Sequence, residues 1–187
     1  MERAKASRTL NYTVSYLSLE MKNVKFFEDA PNIHTIRFLQ AIAPNASYFL
    51  YLYKEVGRKY EWTDWLRSER GELDSFLTDA NVFLYSLILH GVPKGFFVLD
   101  YRQLPICDLA YFGLFDDVTG KGIGKLMMNR VFEAVIEYGD VKTLTVNTNT
   151  LDHRNALPLY QKAGFDIYKK EDHQRRTWSQ LEDKEYL

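Results

Sequence analysis

The chain has 187 residues, 46% of them hydrophobic and 26% charged, with a formal net charge of −1. That is enough apolar material for a real core and too little positive charge for a dedicated nucleic-acid binder, which carries a basic face. Cys107 is the only cysteine, so no intramolecular disulfide can form, and no stretch approaches ~20 uncharged apolar residues, so no membrane-spanning helix is expected. The N-terminus MERAKASRTLNYTV lacks the unbroken apolar run of a secretory leader, and a cytoplasmic location is the expectation.

In chain order, YTVSYLSLEM (12–21) alternates as a strand does. IHTIRFLQAI (33–42) fits a helical stripe and a strand face alike, and Pro44 behind it favours a strand. YFLYLYKEVG (48–57) reads as a helix, with Asn45 or Ser47 as N-cap and Gly57 as its stop. EWTDWLRSER and GELDSFLTD add one or two short helices before residue 80. NVFLYSLILH (81–90) and GFFVLDYR (95–102) are β-rich runs joined into a hairpin by GVPK, and PICDLAYFGLF (105–115) is a third strand.

Residues 122–139 place Leu126, Met127, Val131, Ala134 and Val135 at helical spacing, and Gly139 ends that helix. VKTLTVNTN (141–149) is a strand, RNALPLYQKAG (154–164) a helix and FDIYKK (165–170) a strand. The β-α-β unit across 105–149 joins two neighbouring parallel strands. Beyond 171 the chain is polar apart from Trp178 and Leu181, and no element is assigned there.

DDVTGKGIGKLMM (116–128) places Gly120, Gly122 and Gly124 directly before the 122–139 helix. The first N–H groups of a helix have no intrahelical partner, and the helix dipole puts partial positive charge there. Glycines let the loop turn those groups onto an anion, and Lys121 and Lys125 add charge. A pyrophosphate is the natural ligand. The spacing excludes the G-x-x-x-x-G-K-[ST] loop of nucleoside triphosphatases and the G-x-G-x-x-G dinucleotide fingerprint.

From LAYFGLFDDVTGKGIGKLMM to TLTVNTNTLDHRNALPLYQKAGF the chain resembles the GNAT family, the GCN5-related N-acetyltransferases. TGKGIG (119–124) matches that family's [QR]-x-x-G-x-[GA] loop except at its first residue, and Ala156, Tyr160, Gly164 and Phe165 match A-x-x-x-Y-x-x-x-G-F in full. The resemblance covers about residues 81–170. It implies an α/β fold of the α+β type: a mixed, mostly antiparallel sheet of six to seven strands with flanking helices, splayed between the fourth and fifth core strands. It also implies a single domain over 1–187, with an acceptor-side part over about 1–80 and an acyl-CoA-binding core over about 81–170.

The implied activity is transfer of an acetyl group from acetyl-CoA to a primary amine by direct attack, without a metal. The implied alternative is a module that binds coenzyme A without chemistry. The resemblance assigns the pyrophosphate to the loop amides of Gly120, Lys121, Gly122, Ile123, Gly124 and Lys125, with Thr119 in place of the usual Arg or Gln. It assigns the pantetheine arm to the backbone of Phe112 to Leu114. Gly113 within that strand marks a bulge or makes room for an aromatic neighbour. Tyr160 is the implied general acid at the departing thiolate.

The family's Asn before the last helix is replaced by His153, while Asn149 and Asn155 remain nearby as candidate cofactor contacts. Candidate bases for the amine are Asp108, His153, or a water held by Asn147 and Asn149. Asp108 sits among apolar residues, where burial raises a carboxyl pKa, or else faces outward. Cys107 reads as a small core residue. Tyr48, Tyr51, Tyr53, Tyr60, Trp62 and Trp65 wall the amine site or pack the core, the latter favoured. The acceptor is a small-molecule or protein amine, with neither nucleic acid nor membrane as partner, and a homodimer is compatible with the resemblance.

Overall fold

Alternation in TLNYTVSYLSLE builds the first strand, β1 (Thr9–Glu20), whose Ser15, Leu17 and Leu19 are buried. The computed structural model describes residues 9–177, so Trp178 and Leu181 lie outside the described residues. The chain continues through β2 (Ile36–Gln40), the helices α1 (Ala46–Gly57), α2 (Asp64–Arg67) and α3 (Arg70–Thr78), and the strands β3 (Val82–Leu89), β4 (Val92–Gln103) and β5 (Ile106–Leu114). It ends with α4 (Ile123–Tyr138), β6 (Thr143–Asn149), α5 (Ala156–Lys162) and β7 (Asp166–Arg176).

The seven strands form one sheet in the order β2-β3-β4-β5-β6-β1-β7, antiparallel everywhere except β5 beside β6. The expected mixed, mostly antiparallel sheet is present. β1 lies between β6 and β7, far in the sheet from the strand that follows it. The β5–β6 ladder holds only three pairs, Ile106 with Thr143 to Asp108 with Thr145, after which the strands part. That is the expected splay.

One face of the sheet carries α1: Phe49 of α1 meets Phe96 of β4 edge-on at 5.9 Å. The other carries α4, where the Tyr101 hydroxyl donates to Ala134 O at 3.4 Å. Fully buried Phe96, Phe97, Val98 and Leu99 fill both sides of β4, which explains why that run reads as continuously apolar.

Asn45 is the cap of α1, accepting from Tyr48 N at 2.8 Å, and the helix ends at Gly57, where the chain, at φ −85°, tightens into a 3₁₀ turn at Arg58–Tyr60. Three other local expectations change. The β3–β4 hairpin turns at His90 and Gly91, both at positive φ, while Val92 and Pro93 already belong to β4. β7 runs through Arg176, because ladder pairing with β1, from Ser18–Asp166 to Thr9–Arg176, overrides the polarity of the segment.

The third concerns Gly113. Val98 opposes Tyr111 and Leu99 opposes Leu109, so the bulged residue is Ala110. Gly113 is an ordinary ladder partner of Phe96, and the neighbour it makes room for is aliphatic: a Cβ there would lie 2.2 Å from Val56 Cγ1 of α1.

Candidate active site

The 119–124 loop folds around two glycines in the left-handed region, Gly120 at φ +79° and Gly122 at φ +76°. Gly122 is the N-cap of α4, so no side chain satisfies that terminus, and the first turn holds no acidic residue. Thr119 Oγ1 donates to Phe115 O at 3.0 Å, which ties the hydroxyl to the loop itself. Lys121 Nζ donates to Asp117 O at 2.8 Å. Lys125 pairs with Asp29, whose carboxyl is held below its usual range by that bond.

Asp29 belongs to the segment between β1 and β2, which lies along α4. Asn129 fixes it there, bonding Phe27 N at 2.8 Å and Phe27 O at 3.0 Å, and Pro31 stands 3.2 Å from where a Gly122 Cβ would be. Asp29 is a site neighbour that sequence reasoning missed. It lies 96 residues from Lys125, and no local pattern signals the contact.

At the point where β5 and β6 part, Thr145 Oγ1 donates to Asp108 Oδ1 at 2.6 Å. Asp108 is half-buried, and burial pushes its carboxyl above the usual range, against the Thr145 bond and with the Asp100 charge. Directly opposed strand residues share a sheet face. Asp108 opposes Asp100 and Tyr111 opposes Val98, so the Ala110 bulge brings Asp108 and Tyr111 onto the face that α1 covers. Cys107 points the other way and is fully buried; burial pushes its thiol up, which makes it an inert core group.

Tyr160 of α5 is 4% exposed, with its ring edge-on to Phe112 at 6.0 Å and to Phe165 at 5.9 Å. Burial, then the Asp152 and Asp108 charges, push its phenol pKa up, so the hydroxyl keeps its proton throughout the neutral range. Phe112 and Leu114 lie on the part of β5 that β6 has left, and both are half-buried.

The β6–α5 turn is organised by Asp152, which was not singled out from sequence. Its Oδ2 accepts from Thr148 Oγ1 at 2.8 Å and Asn149 N at 2.9 Å, and its Oδ1 accepts from Trp62 Nε1 at 3.0 Å. An Asp three residues after Asn149 in a polar stretch is a turn signal that could have found it. Asn149 Oδ1 accepts from Leu151 N at 2.8 Å, which occupies that oxygen within the turn. His153 Nδ1 accepts from Asn155 N at 3.1 Å, and its ring stands edge-on to Tyr60 at 6.2 Å. Asn155 is the exposed N-cap residue of α5, with no side-chain capping bond. Asn147 is exposed on β6.

Of the aromatic group in α1 and the following turn, Tyr53 is 1% exposed and packs against Phe49, Trp62 and Tyr111 with centroids 5.5–5.6 Å apart. Of the six aromatics weighed for wall or core, Tyr53 is core, Tyr48, Tyr60, Trp62 and Trp65 are half-buried, and Tyr51 stands 45% exposed. Among the described residues no group of three His, Cys, Asp or Glu side chains is placed to hold a metal ion, and no helix is long and apolar enough to cross a membrane.

A model of the acetyltransferase (GNAT) family matches residues 45–165. The chain belongs to that family. Among solved structures, this GNAT protein is similar to a GCN5-related N-acetyltransferase from Kribbella flavida, with 13% identity and a TM-score of 0.58, over 91% of this chain and 60% of that one. It is similar to a tandem GNAT protein from the clavulanic acid biosynthesis pathway, with 10% identity and a TM-score of 0.64, over 88% of this chain and 53% of that one. An aminoglycoside acetyltransferase from an uncultured soil metagenomic sample shares 15% identity at a TM-score of 0.56, over 70% of this chain and 88% of that one. At such identities the likeness shows the fold. The chain thus spans little more than half the length of the first two. No curated protein sequence matches it.

Proposed function

We propose that this GNAT protein is an acyl-CoA-dependent N-acyltransferase that moves an acetyl group from acetyl-CoA to a primary amine by direct attack in a ternary complex. The observation that carries this reading is the α4 terminus. It is uncapped, entered through two left-handed glycines, and flanked by lysines where a lone helix favours acids. An anion reverses that disfavour, and the amides of residues 120–124 together with Lys121 and Lys125 fit a pyrophosphate. Acetyl-CoA, when bound, supplies an acyl group already activated as a thioester.

The remaining steps belong to the chain's own residues. Beyond Asp108 the β6-facing edge of β5 has no ladder partner, and the backbone at Phe112 to Leu114 is thereby available to an amide-bearing arm. Tyr160, beside Phe112 and held neutral by burial, donates a proton to the leaving sulfur. Asp108, its affinity for a proton raised by burial, takes one from the incoming ammonium, which otherwise has no lone pair to attack with. Holding both reactants at the splay supplies the proximity term. His153 accepts Asn155 N at Nδ1, which puts the neutral ring's proton on Nε2, so that nitrogen faces the site as a donor and the base role stays with Asp108.

Thr119 favours a second reading. Its hydroxyl is bound to Phe115 O where the family has a longer group, which supports a module that holds coenzyme A without turnover. Calorimetric titration with acetyl-CoA, followed by thiol release over a panel of amines, separates the two. Saturable binding with release is expected. Binding without release on any amine supports the module, and absence of binding overturns both.

A further inference from the structure

The two edges of the sheet are defended unequally. β7 carries Lys169, Lys170, Glu171, Asp172, Arg175 and Arg176, and its ladder with β1 skips Tyr168 in a bulge. Charges and bulges of this kind keep an edge strand from pairing with another chain. β2, at the other edge, holds a single charge, Arg37, whose guanidinium is turned back onto His34 O and Ile36 O. Leu39 of that strand is 56% exposed, and Ile42 just behind it is 91% exposed.

Pairing with β3 decides which backbone groups of β2 stay free. Ala41 N donates to Leu84 O at 2.9 Å, so these two residues form a hydrogen-bonded pair that continues the β2–β3 ladder. Alternation then aims the N–H and C=O groups of Leu39 and Arg37 at β3, and turns those of Ile36, Phe38 and Gln40 outward. Ile36 is already occupied: its N–H donates to Ile33 O at 3.0 Å, and its O accepts from Arg37. Among the described residues no hydrogen bond closes on the outward groups of Phe38 and Gln40.

Those groups make the strand complementary to itself. Laid antiparallel against a second β2, Phe38 meets Gln40 and Gln40 meets Phe38, and each pair exchanges two main-chain hydrogen bonds. Sliding the strands by one ladder step sets Phe38 or Gln40 against its own copy. The other residue is then sent to the occupied Ile36 or past the end of the strand. The full register puts Leu39 opposite Leu39 on the two-fold axis, in a non-hydrogen-bonded pair, where side chains stand closest. It also brings Ile42 beside Ile36 of the second copy.

Nothing in the sheet order opposes this. The splay lies between the fourth and fifth strands from the β2 edge, so pairing there leaves it open. The residues outside 9–177 join the sheet at β1 and β7, on its far side.

We propose that β2 is a dimerisation edge whose partner is the β2 of a second copy of this chain, paired antiparallel about Leu39 into one continuous sheet. A ribbon this short makes a small interface, with a dissociation constant of about 1–100 μM.

Sedimentation equilibrium of the full chain between about 1 and 500 μM is expected to show a monomer–dimer equilibrium. Leu39→Lys sets two ammonium groups face to face on the axis, and should weaken association at least about tenfold with an unchanged circular-dichroism spectrum. Leu39→Cys should give a disulfide-linked dimer under oxidised glutathione, because the Cα atoms of such a pair lie within disulfide reach. Cys107 is fully buried and does not compete.

Ile42→Cys is the control for register. It is the more exposed site, yet in the paired state its two copies stand about 20 Å apart along the strands. Leu39→Cys should therefore link at least about tenfold faster than Ile42→Cys. A parent chain that stays monomeric over the whole concentration range overturns the proposal. So does an association that Leu39→Lys leaves unchanged, or an Ile42→Cys chain that links as fast as Leu39→Cys.

Discussion

Thr145 Oγ1 donates to Asp108 Oδ1 at 2.6 Å across the last rung that joins β5 to β6. Burial lifts the Asp108 pKa and this bond opposes the lift. Since the base must be unprotonated, the acid limb of the kcat/KM profile should lie above the usual aspartate range, and Thr145→Val should move it higher. Asp108→Asn should lower kcat about 10²–10⁴-fold. A profile whose acid limb ignores Thr145→Val would remove Asp108 from the role.

The same raised pKa carries a stability cost. The folded chain binds the proton more readily than the unfolded one, so the penalty is absent below the ordinary aspartate range and present once pH rises past the folded pKa. Asp108→Asn should therefore melt at a higher temperature than the parent at neutral pH, and the gain should vanish in acid. Thermal unfolding at both pH values checks this.

Tyr160→Phe removes one hydroxyl from a well-packed site between Phe112 and Phe165. Turnover should fall by about 10²-fold or more while the Kd for coenzyme A stays within about twofold. Stopped-time thiol assays and calorimetry read the two effects separately; an unchanged kcat would end the assignment.

Asp29 holds the cation that the loop directs at a phosphate. Asp29→Asn should free Lys125 and tighten coenzyme A binding a few-fold at low salt, with the gain fading as ionic strength rises. Lys125→Met should weaken binding. Titrations of the two variants at two salt concentrations give the answer, and an Asp29→Asn affinity equal to the parent's would show that the pair opens without cost.

Gly113 leaves no space for a methyl group against Val56 Cγ1. Gly113→Ala should cost about 1–3 kcal/mol, and Val56→Ala in the same chain should recover part of it. Denaturant unfolding of the single and double variants forms the cycle.

Much of this was legible in the sequence because it was local. The α4 run, the loop glycines and the β3–β4–β5 meander follow from period, turn chemistry and spacing. What escaped depends on distant partners. β7 looks polar because it lies at the sheet's edge, and only pairing with β1 makes it a strand. The bulge fell at Ala110, where nothing marks it, because register is a property of two strands together. Asp29 reaches Lys125, and Asp152 reaches Trp62, across long stretches of sequence.

Among the described residues β1 is synthesised first and β7 last, yet Thr9 pairs with Arg176 and Val14 with both Asn149 and Glu171. Half of the sheet must wait for its opening strand to be fitted between two that emerge more than a hundred residues later. Until then, the apolar side of TLNYTVSYLSLE stays uncovered, a period in which a chaperone has reason to hold it.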